Sequence, residues 1–342
     1  MFEVKTNDSP VFRYFNKEKV LGSLMNSEPD IFEKTQRDWP KVIKLTVKDF
    51  WLKIFGASEQ EKNVYYYFST LVEHIPALLK DIPNVEYLRV KEGEEGFEIN
   101  IWLGQNGVVA QTHYDESHNY YAQIYGKKKF ILSPPEEYKK LNLYPKLHPG
   151  QRESQIDWNK ENEEGITITA EEIILSPGDL LYIPPYWFHR VYAVGESISI
   201  NVWSESSEGD VRYIIEHLPL PFEEDWSSEE LSVAIKYFFN ELLYQAFNSL
   251  DLLQELQKRY LSIFKKDMIE CPPFIFKDLK FIDECTHQFK TGEHIPNILK
   301  ELNTINNKAI QEQITLAYME LVISSLLGIQ NSYCYISNFL AH

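Results

Sequence analysis

The chain has 342 residues, 44% of them hydrophobic, with 34 Lys and Arg against 51 Asp and Glu, for a formal net charge of −17. That length and apolar content suffice for one large domain or two ordinary ones, each with a buried core. The acidic balance argues against broad binding to a phosphate backbone, and Cys271, Cys285 and Cys334 match neither a disulfide framework nor a paired zinc knuckle.

The opening MFEVKTNDSPVFRYF shows no basic stretch followed by an apolar core, and no run approaches the ~18 apolar residues of a membrane span. A cytoplasmic or nuclear protein without a membrane segment is the expectation. Residues 1–60 read as an N-terminal segment packing on a strand-rich core, with a turn at DWP (38–40) and VKDFWLKIF (47–55) as a short helix or a strand edge. From 61 to 205 the chain becomes short apolar or alternating runs: NVYYYF, EYLRV, FEINIWL, VVAQTHYD, YYAQIY, KFILSPP, EEIILSPGDLLYIPP and ISINVW. Many short strands punctuated by Gly, Pro and Asn predict a sandwich or barrel, and aromatic enrichment in these runs favours sheet.

Beyond Trp203 the composition shifts. LPLPFEEDW (218–226) is a connection, and Ser227 with Glu230 forms a capping box. Leu231, Ile235, Phe238, Leu242, Ala246, Leu250, Leu253 and Leu256 recur at helical spacing, predicting a helix to about Phe264. CPPF (271–274) breaks it, and a second helix is predicted over 308–327. Residues 206–342 are thus a C-terminal helical region, read either as a cap on the barrel or as a homodimer surface.

His113 and Asp115 lie two apart, so an extended strand points both side chains the same way. In SPGDLLYIPPYWFHRV (176–191), a Gly-Asp turn, a buried run and two prolines precede His189. Two imidazoles and one carboxylate leave an open face on a metal such as Fe(II), and the same set also suits zinc. His118 has the opposite parity to His113 and reads as a loop residue. In KKFIL, Lys128 shares a strand face with Phe130 and Leu132, and a lysine directed into a barrel needs an anion.

HYDESHNYYAQIYGKKKFILSPP, LYPKLHPGQRESQIDW and SPGDLLYIPPYWFHRV together resemble the JmjC-domain 2-oxoglutarate oxygenases, most of all their asparaginyl-hydroxylase branch, typified by factor inhibiting HIF. The resemblance covers roughly 61–205. It implies a mainly β fold with α, a double-stranded β-helix or cupin-like barrel carrying N-terminal elements and C-terminal helices. It also implies an oxidoreductase, a dioxygenase acting as a protein side-chain hydroxylase with Fe(II), 2-oxoglutarate and dioxygen. His113, Asp115 and His189 would be the iron ligands; Lys128, Asn119, Asn201 and Tyr66 would contact the co-substrate; Arg152 and Glu153 would contact substrate. A protein substrate and a homodimer through the C-terminal helices are the implied partners, with nucleic acid less favoured. Alternatives within the same resemblance are a JmjC demethylase and a tRNA-base hydroxylase; a non-catalytic cupin-like binding protein also remains.

Two departures from the resemblance matter. Ala110 stands where the asparaginyl hydroxylase has a threonine that holds 2-oxoglutarate, and Ser199, sharing parity with Asn201, is placed to substitute. Glu153 stands where that branch has a glutamine; an ionised carboxylate only accepts hydrogen bonds, which favours a cationic or donor-rich target over asparagine.

Overall fold

The computed structural model describes residues 1–13, 40–55, 64–82, 85–90, 98–158, 166–223, 225–263 and 279–340. The DWP turn and the CPPF break fall wholly or partly outside them. The chain forms two compact units, one of residues 1–15, 35–141 and 152–209 and the other of 16–34, 142–151 and 210–342.

The first unit is built on a ten-stranded curled sheet. Its strands are β1 (Phe2–Asn7), β2 (Val11–Phe12), β3 (Lys41–Leu45), β4 (Tyr65–Leu71), β5 (Glu98–Gly104), β6 (Val109–Tyr114), β7 (His118–Ser133), β8 (Glu171–Leu175), β9 (Leu180–Ile183) and β10 (Phe188–Ser204). The order is β2-β6-β10-β5-β4-β1-β3, with β7 pairing β10, β8 and β9. Two long strands, of 16 and 17 residues, organise the curl. The first half of β10 pairs with β6 and the second half of β7, while its second half pairs with β5 and the first half of β7. Such shared, bent strands give the cupin-like half-barrel. All these pairs are antiparallel except β2 with β6.

Alternation along the strands divides the side chains between two faces. On the outer face Val4, Tyr66 and Phe68 pack with Phe50 and Ile54 of the helix Val47–Phe55. On the inner face lie Phe12, Val108 and Ala193 with Tyr65 and Tyr67, and a second cluster of Tyr121, Phe130, Leu132, Leu175 and Ile183. EYLRV is not a strand: Glu86–Leu88 form one 3-10 turn.

In the second unit the Ser227–Glu230 capping box starts the helix Ser228–Phe247. The single helix expected to about Phe264 is two, because Asn248 takes the left-handed conformation and a new helix runs Asp251–Ile263. The predicted 308–327 helix is present as Lys308–Leu327, capped by the Asn307 side chain. Ile235, Phe238, Leu242, Leu256, Ile310 and Ile314 of the apolar stripes are buried. Cys285 is a buried free thiol, whereas Cys334 is disulfide-bonded, which its spacing in the sequence did not announce. No helix among the described residues is long and apolar enough to cross a membrane.

Candidate metal and anion site

His113 near the end of β6 and His189 near the start of β10 are direct cross-strand partners, and their ring centroids are 4.2 Å apart. Asp115 comes directly after β6 ends. The turn before β10 is tied to it by the Tyr186 backbone N–H, which donates to the Asp115 carbonyl at 2.7 Å. Tyr186 adopts φ 63° and stacks its buried ring on Tyr114 at 5.0 Å. A bulky residue in the left-handed region is retained only where surrounding contacts dictate it. Here those contacts set the approach of His189 to Asp115.

One ligand atom from each of His113, Asp115 and His189 lies within 4.8 Å of the others. Both imidazoles are oriented for this: Nδ1 of His113 is 2.6 Å from the Gln111 carbonyl and Nδ1 of His189 is 3.1 Å from that of Trp187. Donation from Nδ1–H to a carbonyl leaves the Nε2 lone pair for a metal. Burial and then His189 push the His113 imidazole down to about 4, so it is neutral at pH 7. Burial by itself raises the Asp115 carboxyl; His189, His113, Arg152 and the Trp203 N–H together hold it below the usual range.

The carboxylate is fixed in turn. Asp115 Oδ2 accepts from Trp203 Nε1 at 3.2 Å and from Asn119 Nδ2 at 3.4 Å. Asn119 Oδ1 accepts from Asn201 Nδ2 at 3.0 Å, and Asn201 Oδ1 accepts from Trp102 Nε1 at 2.6 Å. Asn119 and Asn201 thus join a buried relay that ends at the triad. The tryptophans give no signal in the sequence, because their place depends on how β7, β5 and β10 are registered.

Lys128 is buried on the same inner face. Its Nζ donates to the Tyr121 hydroxyl at 2.6 Å and the Ser199 hydroxyl at 2.9 Å, and no carboxylate of the described residues pairs with it. Burial lowers this lysine to about 7. Ser199 stands at the lysine, as its parity suggested, while Ala110 lies on β6. Tyr121 could have been found by its parity with Asn119, two residues before it.

Tyr66 needs correction. It lies on the outer face with Val4 and Phe68, and its hydroxyl accepts from Lys53 at 2.9 Å. Its neighbour Tyr67 faces inward, stacked on Trp102 at 6.0 Å and within electrostatic range of Tyr121. A one-residue slip in a strand exchanges the faces. Glu153 is buried opposite His113 in a bridge and meets Arg13 Nη1 at 3.5 Å. Arg152, at φ 70°, lies close enough to act on His113 and Asp115. His118 bonds the Tyr182 hydroxyl at 2.7 Å, apart from the triad.

A family model described as "Cupin-like domain" matches residues 13–210. The chain belongs to the cupin-like domain family. It is 32% identical over 180 residues to Jumonji C domain-containing protein 5 of Drosophila melanogaster, covering 49% of this chain and 44% of that protein. It is 31% identical over 179 residues to lysine-specific demethylase 8 of Danio rerio, covering 49% and 42%. To tRNA wybutosine-synthesizing protein 5 of Danio rerio it is 28% identical over 207 residues, 59% of each chain. The matched part is therefore less than half the length of the first two relatives. These likenesses bear on JmjC domains in general and do not single out the asparaginyl-hydroxylase branch.

Proposed function

We propose that the protein is an Fe(II)- and 2-oxoglutarate-dependent oxygenase that hydroxylates a protein side chain. The observation that carries the reading is a two-histidine, one-carboxylate cluster on the same concave face as a buried ammonium with only neutral partners. A metal with open positions satisfies the first and the far carboxylate of a small diacid the second. Two imidazole nitrogens and an oxygen also suit zinc, but a zinc site alone leaves Lys128 without an anion.

When bound, the iron and 2-oxoglutarate supply the oxidising chemistry with dioxygen. The chain's own residues position and exclude. His113 and His189 present Nε2 and Asp115 its carboxylate, held in orientation by Trp203 and Asn119. Lys128, Tyr121 and Ser199 hold the co-substrate carboxylate. Trp102, Tyr67 and Phe130 line the wall around them and keep water out. Arg152 and Glu153, close to the triad, contact the substrate.

Anaerobic titration with Fe(II) and 2-oxoglutarate tests the reading. A visible charge-transfer band is expected, and its persistence in His113→Ala would sink the ligand assignment. Absence of succinate formation in substrate-bearing cell extract would favour a zinc or silent site. Relatives named as lysine-specific demethylases favour a second reading, attack on an N-methyl group. Mass spectrometry separates the two by gain of one oxygen or loss of a methyl. The charge of −17 weighs against a nucleic acid partner.

A further inference from the structure

The chain leaves the barrel unit after Leu141 and returns to it at Arg152, and residues 142–151 between them belong to the helical unit. This excursion is closed at its base inside the barrel unit: Ser154 Oγ donates to the Leu141 carbonyl at 2.6 Å, and the Ser154 N–H donates to that of Thr112 at 2.8 Å. The excursion is also braced along its length. The His148 N–H donates to the Pro145 carbonyl at 3.0 Å and the Gln151 N–H to that of His148 at 2.9 Å, while Tyr144 stacks on the His148 ring at 4.2 Å. Arg152 follows at once with its φ of 70°, and then Glu153, bridged to His113.

Two carboxylates of the helical unit grip adjacent residues of this excursion. Glu320, in the helix Lys308–Leu327, is 1% exposed, and its Oε2 accepts from the Leu147 N–H at 3.3 Å and from the Tyr260 hydroxyl at 2.9 Å. Glu216, the last residue of the helix Ser207–Glu216, pairs with the Lys146 ammonium. Among the described residues, Oε1 of Glu320 meets no hydrogen-bond partner. Burial raises the Glu320 carboxyl, and the Lys146 backbone, Arg259, Tyr260 and Leu147 act against that rise. A carboxyl enclosed with one oxygen bare costs stability. An apolar side chain of the same length would fill the helix position without that cost, so what the acid adds is its hold on Tyr260 and on the Leu147 N–H.

We propose that Glu320, with Glu216 beside it, is a positioning residue for the metal site: it fixes the 142–151 excursion and, through it, the placement of Arg152 and Glu153 beside the triad. What those two residues do there rests on the oxygenase reading; the hold on the chain that presents them does not. Arg152 is the point of greatest leverage. Its guanidinium acts on both His113 and Asp115, and a left-handed backbone at a non-glycine residue persists only where flanking contacts impose it. Those contacts lie at 146 and 147 on one side and at Glu153 and Ser154 on the other. Loss of the first set lets Arg152 relax to an ordinary backbone conformation, which carries its charge away from the triad.

The test compares Glu320→Met, which keeps the length of the side chain without its oxygens, with Glu320→Gln, which keeps an acceptor. Amide hydrogen exchange of the full, metal-free chain is read by mass spectrometry. In Glu320→Met, peptides across 142–154 are expected to exchange about tenfold faster or more, as loss of a hydrogen bond to a charged group allows. The helix Ser228–Phe247 should be unchanged, and Glu320→Gln should stay close to the parent. Mn(II) affinity supplies the second readout. Arg152→Gln removes a like charge from beside the metal and should raise affinity about twofold or more in the parent; in the Glu320→Met background it should have no effect. That non-additivity is what a purely structural role lacks. Should Glu320→Met not fold, Lys146→Met cuts the neighbouring tie and is read the same way. Faster exchange that stops short of Arg152, or that spreads through the helix Ser228–Phe247, overturns the proposal. So does an equal effect of Arg152→Gln in both backgrounds, or none in the parent. A parent that binds no Mn(II) sinks the oxygenase reading instead, while the exchange measurement, made without metal, still decides the role of Glu320.

Discussion

Lys128 donates to the Tyr121 hydroxyl over 2.6 Å, a contact between two residues of one strand on either side of Gly126. The pair makes the lysine a buried cation whose charge is not neutralised. Burial brings it from 10.5 to about 7. The folded value lies below the unfolded one, so the folded state binds fewer protons between about pH 7 and 10.5. The cost of enclosing the ammonium is full below pH 7 and is relieved as pH rises through that window. Without ligand, the protein is therefore expected to gain stability from pH 7 towards 10, measured by urea unfolding. Lys128→Met should flatten that rise. Affinity for 2-oxoglutarate should fall over the same range, since the neutral amine no longer attracts a carboxylate.

The same lysine separates co-substrate binding from metal binding. Lys128→Met is expected to weaken 2-oxoglutarate by about tenfold or more, the size of a hydrogen bond to a charged group. Ser199→Ala should produce a smaller loss. Neither should change Mn(II) affinity in calorimetric titration without 2-oxoglutarate. An equal loss of both ligands from a folded variant would show that Lys128 supports the barrel rather than the co-substrate.

Trp203 is predicted to act on the metal without touching it. Its Nε1 is one of two donors that fix Asp115 Oδ2, and loss of such an orienting partner typically costs about 10–100-fold in metal affinity. Trp203→Phe keeps much of the ring contact with Trp102 and removes the donor. A fall in Mn(II) affinity of about tenfold, with little change in thermal unfolding, is the expected result. Unchanged affinity would mean that Asn119 alone suffices.

Some of this architecture can be read from the residues and some cannot, for identifiable reasons. His113 and Asp115, two apart, and His189 behind its prolines can be picked out as a set, and the structure brings them within 4.8 Å of one another. The periodicity of 308–327 and the Ser227 box likewise have local causes and appear where expected. Tyr66 is misplaced by sequence reasoning because three tyrosines in succession carry no internal mark of phase. The face is set by the pairing of Tyr67 with Lys5 and Gly104 on neighbouring strands. Trp102 and Trp203 escape notice because their roles come from how β5 and β7 are registered on β10. The helix break at Asn248 is a single backbone choice that apolar spacing does not encode.

The last prediction concerns the residue that changes the phase of β7. Before Gly126 the buried inner positions are odd, at 119, 121 and 123; after it they are even, at 128, 130 and 132. Without that change Lys128 would face away from Tyr121. Gly126 has φ 67°, and a Cβ there would lie 2.0 Å from the Glu196 carbonyl oxygen and 3.0 Å from its carbon. These are backbone atoms, so the strand itself must move. The left-handed conformation alone costs a non-glycine residue about 1–2 kcal/mol. Gly126→Ala is therefore expected to lose more than that in urea unfolding and to bind 2-oxoglutarate poorly. Mn(II) binding should be better preserved, because His113 and His189 pair across β6 and the far end of β10. A variant as stable as the parent, with 2-oxoglutarate binding intact, would show that the bulge does not govern the placement of Lys128.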